Sequence, residues 1–343
     1  MQKLTYLFLT LFFIGAADLH AQAKFQVDTI EDAKSLPVFY TGLGHTAKTF
    51  SGRNFLKHLG EGNKWTVDLT NVPVKEEWTD LLDPTFSHWD KFIGVPHVSV
   101  PLPADVPKSE DVHVGTPLGV NNDPLGVFTM IREGGEDVLK VRGQIYGGLT
   151  SKQEYGDYHL SLQFKWGERK WEPRLKLQRD NGLLYHCTGP HGAFWNVWMR
   201  CLEFQIQERD MGDFFALAGA NAFGITAGPQ ENKQGTFQKG GERMGIGDHY
   251  GNYRNTRSTD EELGHGEWNT LELYTVGGRA IHVVNGKVVN AIDDAHTVIN
   301  GELVPLTRGK LQLQSEAADG YFRRVKIRPI TEIPAKVLEA AGL

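Results

Sequence analysis

Short runs in which apolar and polar residues alternate dominate the hydrophobic pattern of this chain. The clearest run, residues 158–166, has an apolar residue at every even position, which is the period of a half-buried β-strand. In a second run, residues 202–207, the same period gives an apolar face (Leu202, Phe204, Ile206) and a polar face (Glu203, Gln205, Gln207). The pattern predicts antiparallel sheets with one buried face and one polar face.

Turn signals separate the candidate strands. Gly277-Gly278 and Asn285-Gly286 each lie between two alternating runs, and Asn-Gly favours a hairpin turn with positive φ at both central residues. Residues 310–314 and 321–327 form a last candidate pair. Antiparallel strands in this number predict an all-β, two-sheet sandwich.

Two segments lack this alternation. Residues 94–126 are rich in proline, which cannot donate to a strand ladder, so we expect an extended loop. Residues 218–266 are rich in Gly, Asn, Gln and charge, and they predict an insertion that forms a lid or rim. We expect a short helix in the C-terminal tail, residues 331–343.

The N-terminus has the features of an exported protein. Lys3 precedes an apolar run that ends near Ala17, and a small residue follows at Ala21, as in a cleaved secretory signal. We expect residues 1–21 to be the signal peptide, residues 22–75 an N-terminal extension, and the mature protein to be periplasmic or secreted. No later apolar run is long enough to span a membrane.

Charge and cysteine content narrow the function classes. A net charge of -6 argues against a nucleic-acid partner, which usually requires a basic face. The only two cysteines, Cys187 and Cys201, lie at the ends of successive candidate strands, and an oxidising compartment would permit a disulfide between them.

The polar face of the strand at residues 202–207 suits a ligand with many hydroxyl groups, because a carboxylate flanked by two amides offers paired donors and acceptors. The other interpretation is an ordinary solvated sheet face. Trp195 and Trp198 lie in the loop between the cysteines, where an exposed indole would stack on a sugar ring; either tryptophan is equally compatible with the core.

From about Trp78 to Ile330 the chain resembles the 3-keto-disaccharide hydrolase family. The matching segments, in order, are Trp78-Thr79-Asp80-Leu81-Leu82 with Trp89, Tyr155-Gly156-Asp157-Tyr158, Asp180-Asn181-Gly182-Leu183-Leu184-Tyr185, Glu203-Phe204-Gln205-Ile206-Gln207, Gly266-Glu267-Trp268-Asn269-Thr270, Asn285-Gly286-Lys287, Lys310 to Glu316 and Tyr321-Phe322-Arg323-Arg324-Val325. The family's usual Asn-Ser-Gly is replaced here by Asp180-Asn181-Gly182.

The resemblance implies a concanavalin A-like or laminin G-like jelly roll over residues 76–330. It also implies cleavage of glycosides whose C3 hydroxyl has been oxidised to a ketone, by elimination across C1–C2 and hydration of the resulting 3-keto-2-hydroxy-glucal. The substrate would be an oligosaccharide or glycoside, and a sugar 3-oxidoreductase would act upstream. Such chemistry requires a base near C2, an electrophile near the C3 oxygen and a proton donor near C1.

The candidate catalytic residues are Glu203, His186 and Glu316. Glu203 lies on the polar strand face, Glu316 ends the polar face that includes Gln312 and Gln314, and the imidazole of His186 titrates near working pH. The candidate substrate-binding residues are Asn181, Gln205, Gln207, Trp198 and Arg323. Arg323 is chosen from the resemblance alone, since Arg323 and Arg324 should lie on opposite faces of one strand. Asn181 also fits a turn with Gly182.

No cofactor is required by these features, although a divalent metal stays open. His249, His265, Glu242 and Asp248 have suitable side chains but no tight ligand spacing.

Two other functions remain. One is a retaining endo-glucanase of the laminarinase-like sandwich type, because Glu203 and Glu208 bracket a strand as in that family. However, Gln205 stands where that family has an acid, and joint action of the two glutamates would require a bulge. The other is a non-catalytic carbohydrate-binding module.

Overall fold

The computed structural model describes residues 77–227 and 234–343. The expected signal peptide and N-terminal extension lie outside the described residues. The strands are β1 (Thr79–Asp80), β2 (Trp89–Ile93), β3 (Gly119–Val120), β4 (Phe128–Glu133), β5 (Glu136–Val141), β6 (Gly147–Ser151), β7 (Tyr158–Lys170), β8 (Gly182–Thr188), β9 (Arg200–Gln205), β10 (Phe214–Leu217), β11 (Ala220–Thr226), β12 (Gly235–Thr236), β13 (Glu242–Gly247), β14 (Arg254–Thr256), β15 (Asn269–Val276), β16 (Arg279–Val284), β17 (Lys287–Ile299), β18 (Glu302–Pro305), β19 (Lys310–Ser315) and β20 (Ala318–Pro329). A 3₁₀ helix (Asp248–Tyr250) and one α-helix, α1 (Ala335–Ala341), complete the described elements.

The strands form two sheets. Sheet A has the order β13-β11-β17-β16-β15-β7-β20-β5-β4, with β1 paired to β20 and β18 paired to β17. Sheet B has the order β12-β14-β10-β9-β8-β19-β6-β2-β3. The protein is therefore an all-β jelly-roll sandwich, as predicted.

The main core lies between the two sheets and follows the alternation of the sequence. Strand β7 contributes Leu160, Leu162, Phe164 and Trp166 from sheet A, and β9 contributes Leu202 and Phe204 from sheet B, all of them buried. Burial of apolar side chains on alternate positions fixes the register of both strands. It also leaves the other face of β9 free to carry polar groups.

The two predicted hairpin turns are present. Gly277-Gly278 joins β15 to β16, and Asn285-Gly286 joins β16 to β17. Both central residues of the second turn have positive φ, 48° at Asn285 and 83° at Gly286, as the Asn-Gly sequence requires.

The prediction for residues 218–266 is wrong in part, because this segment contains β11, β12, β13 and β14. Glycines at several strand positions remove the apolar side chains from which alternation is recognised. A Cβ atom on Gly245 would lie 2.3 Å from the Tyr250 ring, and one on Gly224 would lie 3.0 Å from Asn255. Close approach of neighbouring groups, rather than an apolar side chain, occupies these positions.

The expected opposite orientation of Arg323 and Arg324 is also wrong. Strand β20 has an irregular register against β7 between Arg323 and Lys326, and Arg324 has a φ of 51°. Because of this bulge, both guanidinium groups contact Glu136.

The predicted disulfide is not formed. Cys187 and Cys201 are both free and buried, and their thiols are hydrogen-bonded to each other. They pack in an apolar cluster with Leu184 and Trp198 on the outer side of sheet B. Burial raises the pKa of the Cys201 thiol, which disfavours the thiolate that disulfide formation requires.

The predicted C-terminal helix is present as α1, and its Ala341 is buried in a cluster that includes Ile330 and Ile333. Within the described ranges, no helix is both long and apolar enough to cross a membrane.

Candidate functional site

The outer face of sheet B carries three rows of residues, and each row contains polar side chains. Each row runs across neighbouring strands, because paired residues in antiparallel strands lie side by side. The first row contains Leu184, Glu203, Phe215 and Arg254, which pair in succession across β8, β9, β10 and β14. In the second row Gly182 pairs with Gln205 and lies next to Gln314. In the third row Asp180 pairs with Glu316 and accepts a hydrogen bond from Gln207.

A cavity of about 540 Å³ lies above these rows. Its walls come from sheet B, from the loop that follows β7, from the loop between β8 and β9 and from the segment between β13 and β14. The lining residues are Arg174, Asp180, Phe194, Trp195, Trp198, Glu203, Gln205, Gln207, Phe215, Leu217, Asp248, Tyr253, Arg254, Gln314 and Glu316.

Arg174 joins two carboxyl groups at one end of the cavity. Its guanidinium lies 2.7 Å from Oδ2 of Asp180 and 3.1 Å from Oε1 of Glu316. Gln207 donates a 2.5 Å hydrogen bond to the same Oδ2 of Asp180. Oδ1 of Asp180 is buried and has no hydrogen-bond partner, so one oxygen of this carboxyl is unpaired.

Gly182 makes room for the middle of the site. A Cβ atom there would lie 2.4 Å from Oε1 of Glu203 and 2.6 Å from Oε1 of Gln314. Gln314 donates a hydrogen bond to the Glu203 carboxyl, while Oε1 of Gln314 has no partner. The missing side chain therefore allows Glu203 and Gln314 to meet above the strand.

Burial separates the pKa values of the carboxyl groups. Desolvation, together with the nearby Asp180, raises the pKa of Glu203 to about 8. Desolvation also raises the pKa of Asp180, but Arg174 and Gln207 oppose it, and the result is about 6. The pKa of Glu316 is raised well above its usual range by burial and by Asp180. At neutral pH Asp180 is therefore mainly ionised, whereas Glu203 is mainly protonated.

Aromatic rings also line the cavity. Trp198 is only 1% exposed and donates a hydrogen bond from Nε1 to the Gly147 carbonyl at 3.1 Å. Trp195 is 44% exposed, and its ring stacks on Phe194 with 4.6 Å between centroids. Rings held in this way are suited to the apolar faces of sugars.

A profile of the 3-keto-alpha-glucoside-1,2-lyase-like domain matches residues 77–328. This chain belongs to that family. The matched range contains every residue that lines the cavity. By its family and its two-sheet fold, the protein is a carbohydrate-active jelly-roll protein.

The solved structures that match this chain are distant from it in sequence. A glycosyl hydrolase of Parabacteroides distasonis is 19% identical, covers 60% of this chain and 90% of its own, and has a TM-score of 0.35. Carbohydrate-binding module CBM66 of Bacillus subtilis is 11% identical over 59% of this chain and 91% of its own, with a TM-score of 0.34. A Bacillus licheniformis β-glucanase is 11% identical over 74% of this chain and 97% of its own, with a TM-score of 0.34. No curated protein sequence matches the chain.

Five of the eight site residues predicted from the sequence line the cavity of the lyase-like domain: Glu203, Glu316, Gln205, Gln207 and Trp198. Asn181 lies just beneath it and is fully buried. Its Nδ2 donates to the Gln314 carbonyl at 2.9 Å, and its Oδ1 accepts from the Gly182 amide at 2.8 Å. Asn181 therefore fixes the backbone that holds Gln314, and it does not line the cavity.

His186 lies elsewhere, which corrects its expected position. A register shift between Tyr185 and Thr188 and a φ of 49° turn the ring away from the cavity. Its Nδ1 is 2.9 Å from the Leu306 carbonyl, and burial lowers its pKa to about 4. The bulge could not be read from the alternation of β8.

Arg323 is also far from the cavity, because β20 belongs to sheet A. Its Nε donates to Gln163 at 2.8 Å, and its guanidinium lies 4.1 Å from the centre of the Trp268 ring. The side chain supports the outer face of sheet A, and the resemblance alone did not reveal this.

The four candidate metal ligands do not assemble. Asp248 lines the cavity, whereas His265 is bonded to the Gly167 carbonyl. Among the described residues no group of three or more His, Cys, Asp or Glu side chains is arranged to hold a metal ion.

Asp180, Arg174 and Gln314 were missed as site residues. Asp180 and Gln314 had a usable signal, since counting back in steps of two from Leu184 reaches Gly182 and Asp180, and Gln314 alternates with Glu316. Arg174 lies in the irregular loop between β7 and β8, where no period exists, so no comparable signal marks it.

Proposed function

We propose that this protein cleaves 3-keto-glycosides by elimination across C1–C2, followed by hydration of the 3-keto-2-hydroxy-glucal. The observation that carries the proposal is the pair of buried carboxyls on one cavity wall whose pKa values lie on either side of neutrality, about 6 for Asp180 and about 8 for Glu203. Acid and base roles are assigned by such a separation. The family match supports the choice of reaction.

In the elimination, Asp180 acts as the base. Its unpaired Oδ1 takes the proton from C2, which the ketone at C3 makes acidic. The C1–O bond breaks, and Glu203 gives its proton to the departing oxygen. The products are the glucal and the free alcohol, with Asp180 now protonated and Glu203 ionised.

Arg174 and Glu316 stabilise the negative charge that develops on the oxygen at C3. Negative charge grows on this oxygen as the C2 proton leaves, and a fixed guanidinium stabilises such charge without reorganisation. Burial and the nearby Asp180 raise the pKa of Glu316 well above its usual range, which favours the protonated form that donates a hydrogen bond to the same oxygen. Tyr146 hydrogen-bonds to Arg174 and helps to hold it in place.

Hydration reverses the roles. Glu203, ionised after elimination, takes a proton from water as the hydroxyl adds to C1. Asp180, whose carboxyl proton exchanges with solvent between the two steps, gives a solvent-derived proton to that carbon. Both carboxyls then regain their starting charge, and the net reaction is hydrolysis.

The endo-glucanase alternative has less support. Its second carboxylate would be Glu208, but Glu208 forms an ion pair with Arg179 at 3.2 Å and does not line the cavity. A binding module would not require three buried carboxyls with raised pKa values, because their desolvation opposes folding and brings no catalytic gain.

The proposed substrate also implies its source. A 3-keto-glycoside forms when the C3 hydroxyl of a glycoside is oxidised, so we infer a sugar 3-oxidoreductase upstream. We further propose that the protein acts after export, as its N-terminal sequence predicts.

The test is cleavage of a 3-keto-glucoside beside its unoxidised parent, in heavy water and from pH 5 to 9. We expect cleavage of the ketone only, deuterium at C2 of the released sugar, and the highest rate near neutral pH. Asp180→Asn and Glu203→Gln should each lose about 10²- to 10⁴-fold in kcat. Glu208→Gln is the matched control, because it neutralises a carboxyl outside the cavity.

Cleavage of the unoxidised parent with C2 fully protonated would overturn the proposal, since a retaining glycosidase does not exchange that proton.

A further inference from the structure

The row that contains Glu203 extends beyond the catalytic carboxyls. Glu203 pairs with Phe215 across β9 and β10, and Phe215 pairs with Arg254 across β10 and β14. Neighbouring strands lie about 4.8 Å apart, so the backbones at Glu203 and Arg254 are separated by roughly 10 Å, two strand spacings. Phe215 lies between them on the same face. This spacing leaves room for one six-membered ring over Phe215.

Two aspartates, Asp210 and Asp213, hold the guanidinium of Arg254 in place. Its Nε donates a 2.6 Å hydrogen bond to Oδ2 of Asp213, and its guanidinium also lies 3.2 Å from Asp210. Asp213 is fully buried and is shared with Arg257. The Arg254 guanidinium further lies 5.4 Å from the centre of the Phe215 ring. Because these contacts use one edge of the guanidinium, its position at the cavity wall is fixed before any ligand binds.

The rim beside Arg254 is polar as well. Asp248 and Tyr253 line the cavity there and are hydrogen-bonded to each other. An apolar group placed over Phe215 would remove water from Arg254 and Asp248 without replacing those hydrogen bonds, which is costly. A ring that bears hydroxyl groups would replace them and still offer an apolar face to Phe215.

We propose that Phe215 and Arg254 select the leaving group of the reaction, and that they favour a hydroxylated ring over an apolar ring of the same size. The inference rests on the proposed function, in which Glu203 protonates the departing oxygen. The ring attached to that oxygen lies over Phe215, its hydroxyls bind Arg254 and Asp248, and Asp213 is the residue that positions Arg254.

Two substrates test this directly: a 3-keto-glucosyl-glucose and a cyclohexyl 3-keto-glucoside, whose leaving groups share ring size and differ in their hydroxyls. We expect the wild-type protein to favour the first by tenfold or more in kcat/KM. Arg254→Met should reduce this preference by about 10- to 100-fold, the range for losing a hydrogen bond to a charged group. Phe215→Ala should raise KM for both substrates.

Two further variants guard against misfolding. Arg254→Lys keeps the positive charge beside Asp213 but loses the fork of donors, so it should fold and still lose much of the preference. Arg243→Met is the matched control, because Arg243 lies over the ring of Phe223 at 4.4 Å and does not line the cavity. It should keep the wild-type preference.

Binding to the Glu203→Gln protein separates this inference from the proposed function. Calorimetry with the two substrates should show the same preference, and Arg254→Met added to Glu203→Gln should remove it. If neither substrate is cleaved but the binding preference is present, the proposed reaction fails and the subsite stands. Equal affinity for both substrates, or an equal loss for both in Arg254→Met, would overturn the subsite.

Discussion

Gly182 determines, by having no side chain, how the buried carboxyls of the site are arranged. The space above it is shared by Glu203 from β9 and Gln314 from β19, the two strands that flank β8. Any Cβ atom at this position would overlap both side chains. The family resemblance includes this glycine, and the structure gives its physical reason.

We expect Gly182→Ala to keep the fold and to lose at least about 10²-fold in kcat, because displacing an acid by 1 Å is enough for such a loss. The new methyl group would lie 2.4 Å from Oε1 of Glu203, so the carboxyl must move. Steady-state kinetics with a 3-keto-glucoside and a thermal melt measure the two effects.

Gly264→Ala is the control, since the nearest atom to its added Cβ is 3.9 Å away. Full activity in Gly182→Ala would show that the position of Glu203 is not critical.

The short hairpin that carries the aromatic wall combines strain with exposure. Phe194 bridges to Trp198, and two of the three residues between them, Trp195 and Asn196, have φ values of 50° and 60°. Asparagine tolerates this conformation, whereas a bulky aromatic residue does so only at a cost. An exposed tryptophan in a strained turn at the edge of a cavity suggests a role in binding.

Replacing Trp195 by asparagine should raise KM about tenfold and change the free energy of unfolding by less than about 1 kcal/mol. Relief of backbone strain offsets the lost ring contacts, while the substrate loses its stacking partner. Kinetics and chemical denaturation give the two numbers.

Trp198→Ala provides the contrast in the same hairpin. Trp198 is almost fully buried, so its loss should destabilise the protein by about 3–5 kcal/mol. An unchanged KM in Trp195→Asn would remove Trp195 from the binding site.

Regular strands were predictable, and their interruptions were not. Alternation placed β7 and β9 correctly and identified Glu203, Gln205 and Gln207, because one buried face fixes the other. It failed at His186 and Arg324, where bulges rotate the side chain, since a bulge depends on the neighbouring strand. It also missed β11 and β13, where the side chains of Asn255 and Tyr250 leave no room for a Cβ atom on Gly224 and Gly245. Arg174 was missed because a loop has no period.

At the scale of the whole domain, the two faces of sheet B have different roles. The inner face supplies apolar side chains to the main core. The outer face holds Asp180, Glu203 and Glu316, all at most 5% exposed, and the guanidinium of Arg174 pairs with Asp180 and Glu316. Burying acids in this way opposes folding whenever they are ionised, so the stability of the domain must depend on the protonation of its site.

Glu203 gives this dependence a definite sign. Its pKa rises from an ordinary value of 4.5 to about 8 in the folded protein, chiefly through desolvation. A raised pKa means that the folded state holds the proton more tightly, so the stabilisation is complete below about pH 4.5 and is lost as the pH rises through 8. Each pKa unit corresponds to about 1.4 kcal/mol.

We therefore expect the wild-type protein to lose a few kcal/mol of unfolding free energy relative to Glu203→Gln between pH 5 and pH 8. The glutamine keeps the shape and hydrogen bonds of the side chain but cannot ionise, so its stability lacks this contribution. Urea denaturation of both proteins at a series of pH values measures the difference. Glu208→Gln, which neutralises a partly exposed carboxyl outside the cavity, controls for the loss of one negative charge. Parallel stability curves for the wild-type protein and Glu203→Gln would mean that Glu203 is already ionised in the folded state, and the protein would then lack the proton donor that the elimination requires.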